Sequence, residues 1–243
     1  MGVRRGTVVV GWAVAVLAML AFASLGRWQL GRMHEKQAML DAVQAVLGAR
    51  DARPLSAAAG PAQGYDWVAG EGVFAEPLIL LDNQQRDGRA GVRAFRVFDP
   101  QDGVQPGVQA PPLLVELGWL PLPGDRTLPQ LPRPEGTHAI AGLLVPPPSQ
   151  GLGRAVLAAQ EDGTLLATGL DIDRLRDMLG LPSLAPRLLK LDPALPLGHA
   201  RDLDILPNTL PPEKHLGYAV QWFGLALAVL VTALVLTFRK RRP

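Results

Sequence analysis

Cysteine is missing from all 243 positions of this chain. That absence excludes disulfides, thiol redox chemistry, Cys-ligated zinc or copper, and the Cys-x-x-Cys-His attachment of c-type haem. Histidine is scarce: His34, His138, His199 and His215 are the full set of four, and no pair has the spacing of a metal-ligand motif. Phosphate loops, dinucleotide fingerprints, His-Glu-x-x-His and Gly-x-Ser-x-Gly are absent, and no internal repeat is visible. The acid pairs Glu161-Asp162 and Asp171/Asp173 read as a solvated turn and a helix cap. No catalytic constellation remains, and the chain reads as a non-enzyme.

Charge is missing from two long runs. Residues 6–25 are 20 uncharged positions behind Arg4 and Arg5, and residues 216–238 are 23 uncharged positions ahead of Arg239, Lys240, Arg241 and Arg242. At about 1.5 Å per helical residue, each run crosses a hydrocarbon core of about 30 Å. The organisation expected is therefore a cytoplasmic tail (1–5), a transmembrane helix (6–25), an outer domain (26–215), a second transmembrane helix (216–238) and a second tail (239–243).

Acids are missing from the ends as well. Removing the six tail cations from the 24 basic residues leaves 18, against all 22 acids, so the middle carries a net charge of −4 although the chain is +2. The basic pI of about 9.3 thus records membrane orientation and not a nucleic-acid surface. By the positive-inside rule both termini are cytoplasmic and the middle lies on the outer side, periplasmic for a bacterial inner membrane. No Arg- and Ser-rich transit peptide marks a mitochondrial import product. A cleaved signal ending at Ala21-Phe22-Ala23 is the rival reading of the N-terminus, but the apolar run exceeds a usual h-region of about 7–15 residues. Helical character also persists beyond it. An uncleaved anchor is expected.

In the middle, Leu30, Met33, Gln37, Leu40, Val43 and Leu47 recur at three and four, a helical spacing that Gly48 ends. Strand character then alternates with turns: residues 66–74, 78–81, 92–98, 113–119 and 138–145, with weaker candidates at 165–166, 187–191 and 203–206. In 92–98, Arg93, Phe95 and Val97 fall on one face and Val92, Ala94, Arg96 and Phe98 on the other. Residues 85–91 suit a hairpin, 171–179 a short helix with Asp171 or Asp173 in its first turn, and 56–64 and 100–112 loops. Gly151-Leu152-Gly153 reads as a turn. The fold class expected is a membrane protein with two transmembrane helices flanking an outer α+β, mostly antiparallel β domain, for which a small barrel is one form.

Candidate sites gather where helices meet the outer surface. His215 opens the second apolar run, with Tyr218 or Ala219 and Trp222 on the same helical face. An imidazole there is either a tolerated interface residue or a metal ligand. Trp28, Tyr218, Trp222 and Phe223 form either an aromatic belt or a stacking platform for a flat ligand. Arg27, Arg32 and Lys36 either snorkel to headgroups or meet carboxylates. Gly11/Ala15 and Gly224/Ala228 are small-x-x-x-small steps suited to close helix approach. Trp119 reads as a core anchor or a docking residue.

Four blocks, in order, resemble the surfeit-locus-one family of cytochrome oxidase assembly proteins. They are Gly26-Arg27-Trp28-Gln29-Leu30-Gly31-Arg32 with Lys36; Leu81-Asp82-Asn83 with Gly91 and Pro100; Leu114-Val115 with Gly118-Trp119 and Pro121; and the run from His215 through Leu216, Gly217, Tyr218, Ala219, Val220, Gln221 and Trp222 to Phe223. Two departures stand out: Glu116-Leu117 where the family has Asn-Arg, and Asp99 where it has Thr. The resemblance implies assistance with haem a insertion or retention in cytochrome c oxidase subunit I, with membrane lipid and haem a synthase as further partners. It implies that His215 is a transient ligand to haem iron, that Tyr218, Trp222 and Trp28 lie beside it, and that Arg27 or Arg32 pairs with propionates. The alternative is a cofactor-free scaffold that holds an oxidase assembly intermediate. An uncleaved anchor predicts a mature protein with the full translated mass of 26.0 kDa; a product cut after Ala23, seen by mass spectrometry, would show processing instead.

Overall fold

The computed structural model describes residues 2–101, 110–148, 155–206 and 209–239. Lys240, Arg241 and Arg242, the side chains of Arg4 and Arg5, most of the loop expected at 100–112, and Gly151-Leu152-Gly153 lie outside the described residues. Two compact units divide the chain, one of residues 1–41 and 209–243 and the other of 42–208.

The first unit is helical. Helix α1, Gly2–Ala49, runs unbroken past the expected limit of the apolar run, because nothing between Gly26 and Gly48 interrupts the three-and-four spacing. Helix α3, Pro212–Phe238, starts with proline at its first turn, where the missing N–H costs nothing. Both helices are long and apolar enough to cross a membrane. Thr232 and Thr237 donate to Ala228 O and Ala233 O, each at 2.7 Å, which satisfies their hydroxyls within their own helix.

The second unit is a mixed sheet of nine strands: β1 (Arg53–Pro54), β2 (Asp66–Phe74), β3 (Ile79–Arg86), β4 (Arg89–Pro100), β5 (Leu113–Pro121), β6 (Thr137–Val145), β7 (Leu157–Ala159), β8 (Leu165–Ala167) and β9 (Leu188–Leu191). Their order is β1-β2-β6-β9-β5-β4-β3-β8-β7, and a further β2–β4 pairing joins Gly72–Phe74 to Phe98–Pro100. The pairings therefore run through β2, β6, β9, β5 and β4 and return to β2. β1–β2, β3–β8 and β5–β9 are parallel and the others antiparallel. The parallel pairs come from short strands that the sequence marks weakly or not at all.

Both faces of the sheet are covered, and the alternation in β4 says how. Val92, Ala94 and Phe98 enter one apolar cluster with Leu113, Val115, Leu117, Ile140, Leu144 and Leu189. Phe95 and Val97 enter the other with Trp67, Leu114, Leu143, Leu188 and Val43. Burial on both faces removes the polar side a one-sided sheet would show. Between β3 and β4 the expected hairpin closes on Asp87 and Gly88, both at positive φ (52° and 73°), the backbone a two-residue turn demands. Helix α2, Ile172–Met178, is capped by Asp171, whose carboxylate accepts from Arg174 N at 3.1 Å. Two expectations fail. Residues 203–206 form no strand; Leu203 and Ile205 pack as a strap on the second cluster. The loop expected from residue 56 begins instead as a 3-10 helix, Leu55–Ala59, that buries Leu55 and Ala58.

Trp119 is a core anchor, with Nε1 donating to Gln84 O at 3.2 Å and 6% of its surface exposed. The family departures have clear places. Glu116 is buried, pairs with Arg93, and lies 3.6 Å from Lys190 Nζ, while Leu117 fills the first cluster. Asp99 is exposed. Lys190 donates to Asp204 O at 2.8 Å and so ties the strap to the sheet. Burial drives the Lys190 ammonium below its ordinary pKa, only partly opposed by Glu116.

Asp66 clamps the parallel β1. It accepts from Arg53 Nη1 and from the buried Arg187 Nη1, each at 2.6 Å. Burial raises its pKa, but the bonds and charges of Arg187 and Arg53 outweigh burial and hold it below the ordinary carboxyl value. Stability from a depressed carboxyl is complete above the unfolded value of about 4 and is lost as pH falls through the folded one. Asp66→Asn should therefore cost about 3 kcal/mol at pH 7 in chemical unfolding of the sheet unit followed by near-UV circular dichroism. That difference should shrink as pH drops below about 4.

Candidate functional site

Among the buried and half-buried positions of α1 in the first unit, Trp12, Ala15, Met19, Phe22, Gly26, Gln29, Met33 and Lys36 recur at three and four. On α3, Pro212, His215, Ala219, Trp222 and Ala226 do the same. A 3.5-residue repeat on two facing helices is the pattern of knobs-into-holes packing. The cross-helix contacts fix its direction: Trp12 Nε1 donates to Thr237 Oγ1 at 3.0 Å, the Phe22 and Trp222 rings stack at 5.7 Å, and His215 Nδ1 lies 2.7 Å from Gln29 Oε1. Partner numbers fall on α3 as they rise on α1, so the pair is antiparallel.

Close approach centres on Gly26, where a Cβ would stand 2.9 Å from the Phe223 ring. Of the expected small-residue steps only Ala15 lies buried in the seam. Gly11 and Gly224 have open space where their side chains would be, and Gly224 and Ala228 are exposed. Ala15 and Ala219 are the alanines buried in the seam.

The chemically distinct end of the seam holds Gln29, Lys36 and His215. Lys36 is buried and its ammonium donates to Leu210 O. His215 is 7% exposed. Gln29 Oε1 accepts from its Nδ1–H, while Nε2 is buried and has no hydrogen-bond partner among the described residues. No other buried side-chain polar atom among the described residues of this helix pair is left bare, so the nitrogen is exceptional.

The six expected site residues do not all converge. His215 and Trp222 lie on the seam. Of the two alternatives expected on their face, Tyr218 or Ala219, Ala219 takes the buried position and Tyr218 is 41% exposed, because a step of four after His215 follows the 3.5 repeat better here than a step of three. Trp28 is 57% exposed. Arg27 is exposed as well, and Arg32 pairs with Glu35 at 2.6 Å. The Trp222 ring is stacked on Phe22 and so engaged on that side. Gln29, passed over as a site residue in the sequence, and Lys36, expected there either to snorkel or to meet carboxylates, stand at the imidazole end of the seam. The legible signal was their spacing: 22, 26, 29, 33 and 36 trace one face of α1. Among the described residues no three His, Asp or Glu groups are placed to hold a metal ion together.

A terminal helix pair with a buried imidazole and a mixed-sheet unit between the helices in sequence define a class with two candidate membrane spans. The family model described as SURF1 family matches residues 16–227, from within α1 to within α3. The chain belongs to the SURF1 family, which is known for cytochrome oxidase assembly. No curated protein matches it.

If Gly26 sets the seam, Gly26→Leu should separate the helices. Because the chain lacks cysteine, Trp12→Cys with Thr237→Cys gives a single-pair reporter. Cross-linking of the two thiols by a short bifunctional maleimide, which replaces the span of the lost indole, should be near complete when Gly26 is kept and fall several-fold when Gly26→Leu is added, as read by intact-protein mass spectrometry.

Proposed function

We propose that this chain assists haem a insertion or retention in subunit I of a haem-copper terminal oxidase, with His215 lending Nε2 as a transient axial ligand. One observation carries the reading: a buried imidazole nitrogen without a hydrogen-bond partner among the described residues, on a ring anchored through its other nitrogen. A buried polar atom left unsatisfied is costly, and a ligand is one way to relieve it. Imidazole is a usual axial donor to haem iron, so this donor set fits the cargo at one point. A single donor also suits a handover, since bound cargo must leave. Haem bound there would bring carboxylate-bearing propionates, and Lys36 is the cation nearest in the seam pattern to meet them. Arg27 and Arg32, exposed on the same helix, serve such carboxylates or acidic groups of a partner.

The chain is read as a non-catalytic factor of a bacterial inner membrane, with both termini cytoplasmic and residues 26–215 periplasmic. That topology rests on the basic tails and the acidic middle. Subunit I and haem a synthase are the proposed protein partners, and lipid surrounds the helices. The exposure of Trp28 and Tyr218 favours a second reading, a scaffold that docks these aromatics on an assembly intermediate and binds no haem.

The test is His215→Ala co-expressed with the haem a biosynthetic enzymes. Haem a absorbance in the detergent-purified protein should fall to background. Unchanged haem a content would remove the ligand role, and oxidase maturation that survives His215→Ala but fails in Trp28→Ala would select the scaffold.

A further inference from the structure

We propose that Gln29 is the positioning residue for His215: its amide oxygen decides which ring nitrogen can ligate, and its neutrality keeps that ligation exchangeable. The inference rests on the reading of His215 as a haem ligand and extends it to a residue with no assigned role.

Gln29 Oε1 stands 2.7 Å from His215 Nδ1. A carbonyl oxygen only accepts, so Nδ1 carries the proton and Nε2 the lone pair. Both residues sit on the 3.5-residue seam, Gln29 three positions after Gly26 and His215 four before Ala219. The packing that brings the helices together therefore also brings these side chains together. His215, at 7% exposure, has little room to turn, and its Nε2 is buried without a partner among the described residues. A ring tied at one nitrogen and bare at the other is how metal-binding imidazoles are held by their outer partners.

The chemistry of the partner sets the strength of the hold. A carboxylate at Nδ1 makes the imidazole a more basic ligand, whereas an uncharged amide does so less. The weaker partner suits a site that surrenders its cargo. Glutamine adds a second property, because its amide also contains an NH2 group. Turned over, that group would donate to Nδ1, move the proton to Nε2 and abolish the donor. The orientation of one amide thus switches the site between competent and incompetent.

The experiment uses full-length, haem-free protein in detergent with 15N-labelled histidine rings. In the wild type, His215 should show a protonated Nδ1 and a bare Nε2. Gln29→Leu should lose that preference, and Gln29→Glu, which keeps an acceptor, should retain it. Iron protoporphyrin IX titrated into the same proteins and followed at the Soret band should bind about 10–100-fold more weakly to Gln29→Leu and more tightly to Gln29→Glu. If Gln29→Leu does not fold, the Glu variant decides alone: loss of the tautomer preference, or binding no tighter than wild type, overturns the proposal. Unchanged tautomer and affinity in Gln29→Leu overturn it too. His215→Ala, titrated alongside, separates the two levels. Wild-type binding by that variant defeats the ligand reading itself, whereas lost binding there with wild-type behaviour in Gln29→Leu defeats only the role of Gln29.

Discussion

The helical unit depends on one steric fact: at Gly26 there is no side chain, and the Phe223 ring uses the space. Both helices are long and apolar enough to cross a membrane, and for helices in lipid, where excluding water gains nothing, contact comes from packing and from polar bonds between them. Both occur here in sequence along one seam. Trp12 with Thr237 ties one end, Phe22 with Trp222 and Gly26 with Phe223 pack the middle, and Gln29 with His215 ties the next turns. The imidazole is thereby held by the same register that holds the helices, and its position is a consequence of packing several residues away.

The sheet unit solves a different problem. Its five-strand circuit has an apolar cluster on each face, yet the second face also carries Arg93, Glu116 and Lys190. Three charges so deeply set are tolerable only because each meets an opposite charge or a carbonyl. Lys190 reaches Asp204 O, and Arg201 binds the carbonyls of Asp192, Leu195 and His199. Long basic side chains thus satisfy backbone groups in segments without regular structure, which would otherwise leave those groups bare.

Much of this was legible in the residues. The apolar runs, the five long strands, the Asp87-Gly88 turn and the Asp171 cap all declare themselves locally, through periodicity and turn chemistry. The short strands β1 and β7 do not, since two or three residues carry no measurable period and their pairing is decided by other strands; β8 shows only as a weak candidate. Residues 203–206 look like a strand because Leu203 and Ile205 alternate with Asp204, but that alternation serves a strap with one side on the core. At the candidate site, His215 was singled out by its place at the start of the apolar run and by the family resemblance, Trp222 by the helical face it shares with His215, and both lie on the seam. Tyr218 was drawn in because steps of three and four cannot be told apart on one helix, and Gln29 was passed over because an amide among apolar neighbours shows its meaning only when the facing helix is present.

The charged layer around Glu116 has a consequence for how the sheet unit responds to heat. Hydration of ions becomes less favourable as temperature rises, so the penalty for taking Arg93, Glu116 and Lys190 out of water shrinks on warming. Apolar contact, present on both faces, also weakens on cooling. The two effects therefore press the same way at the cold end of the thermal range, where the ion layer weighs most against the fold.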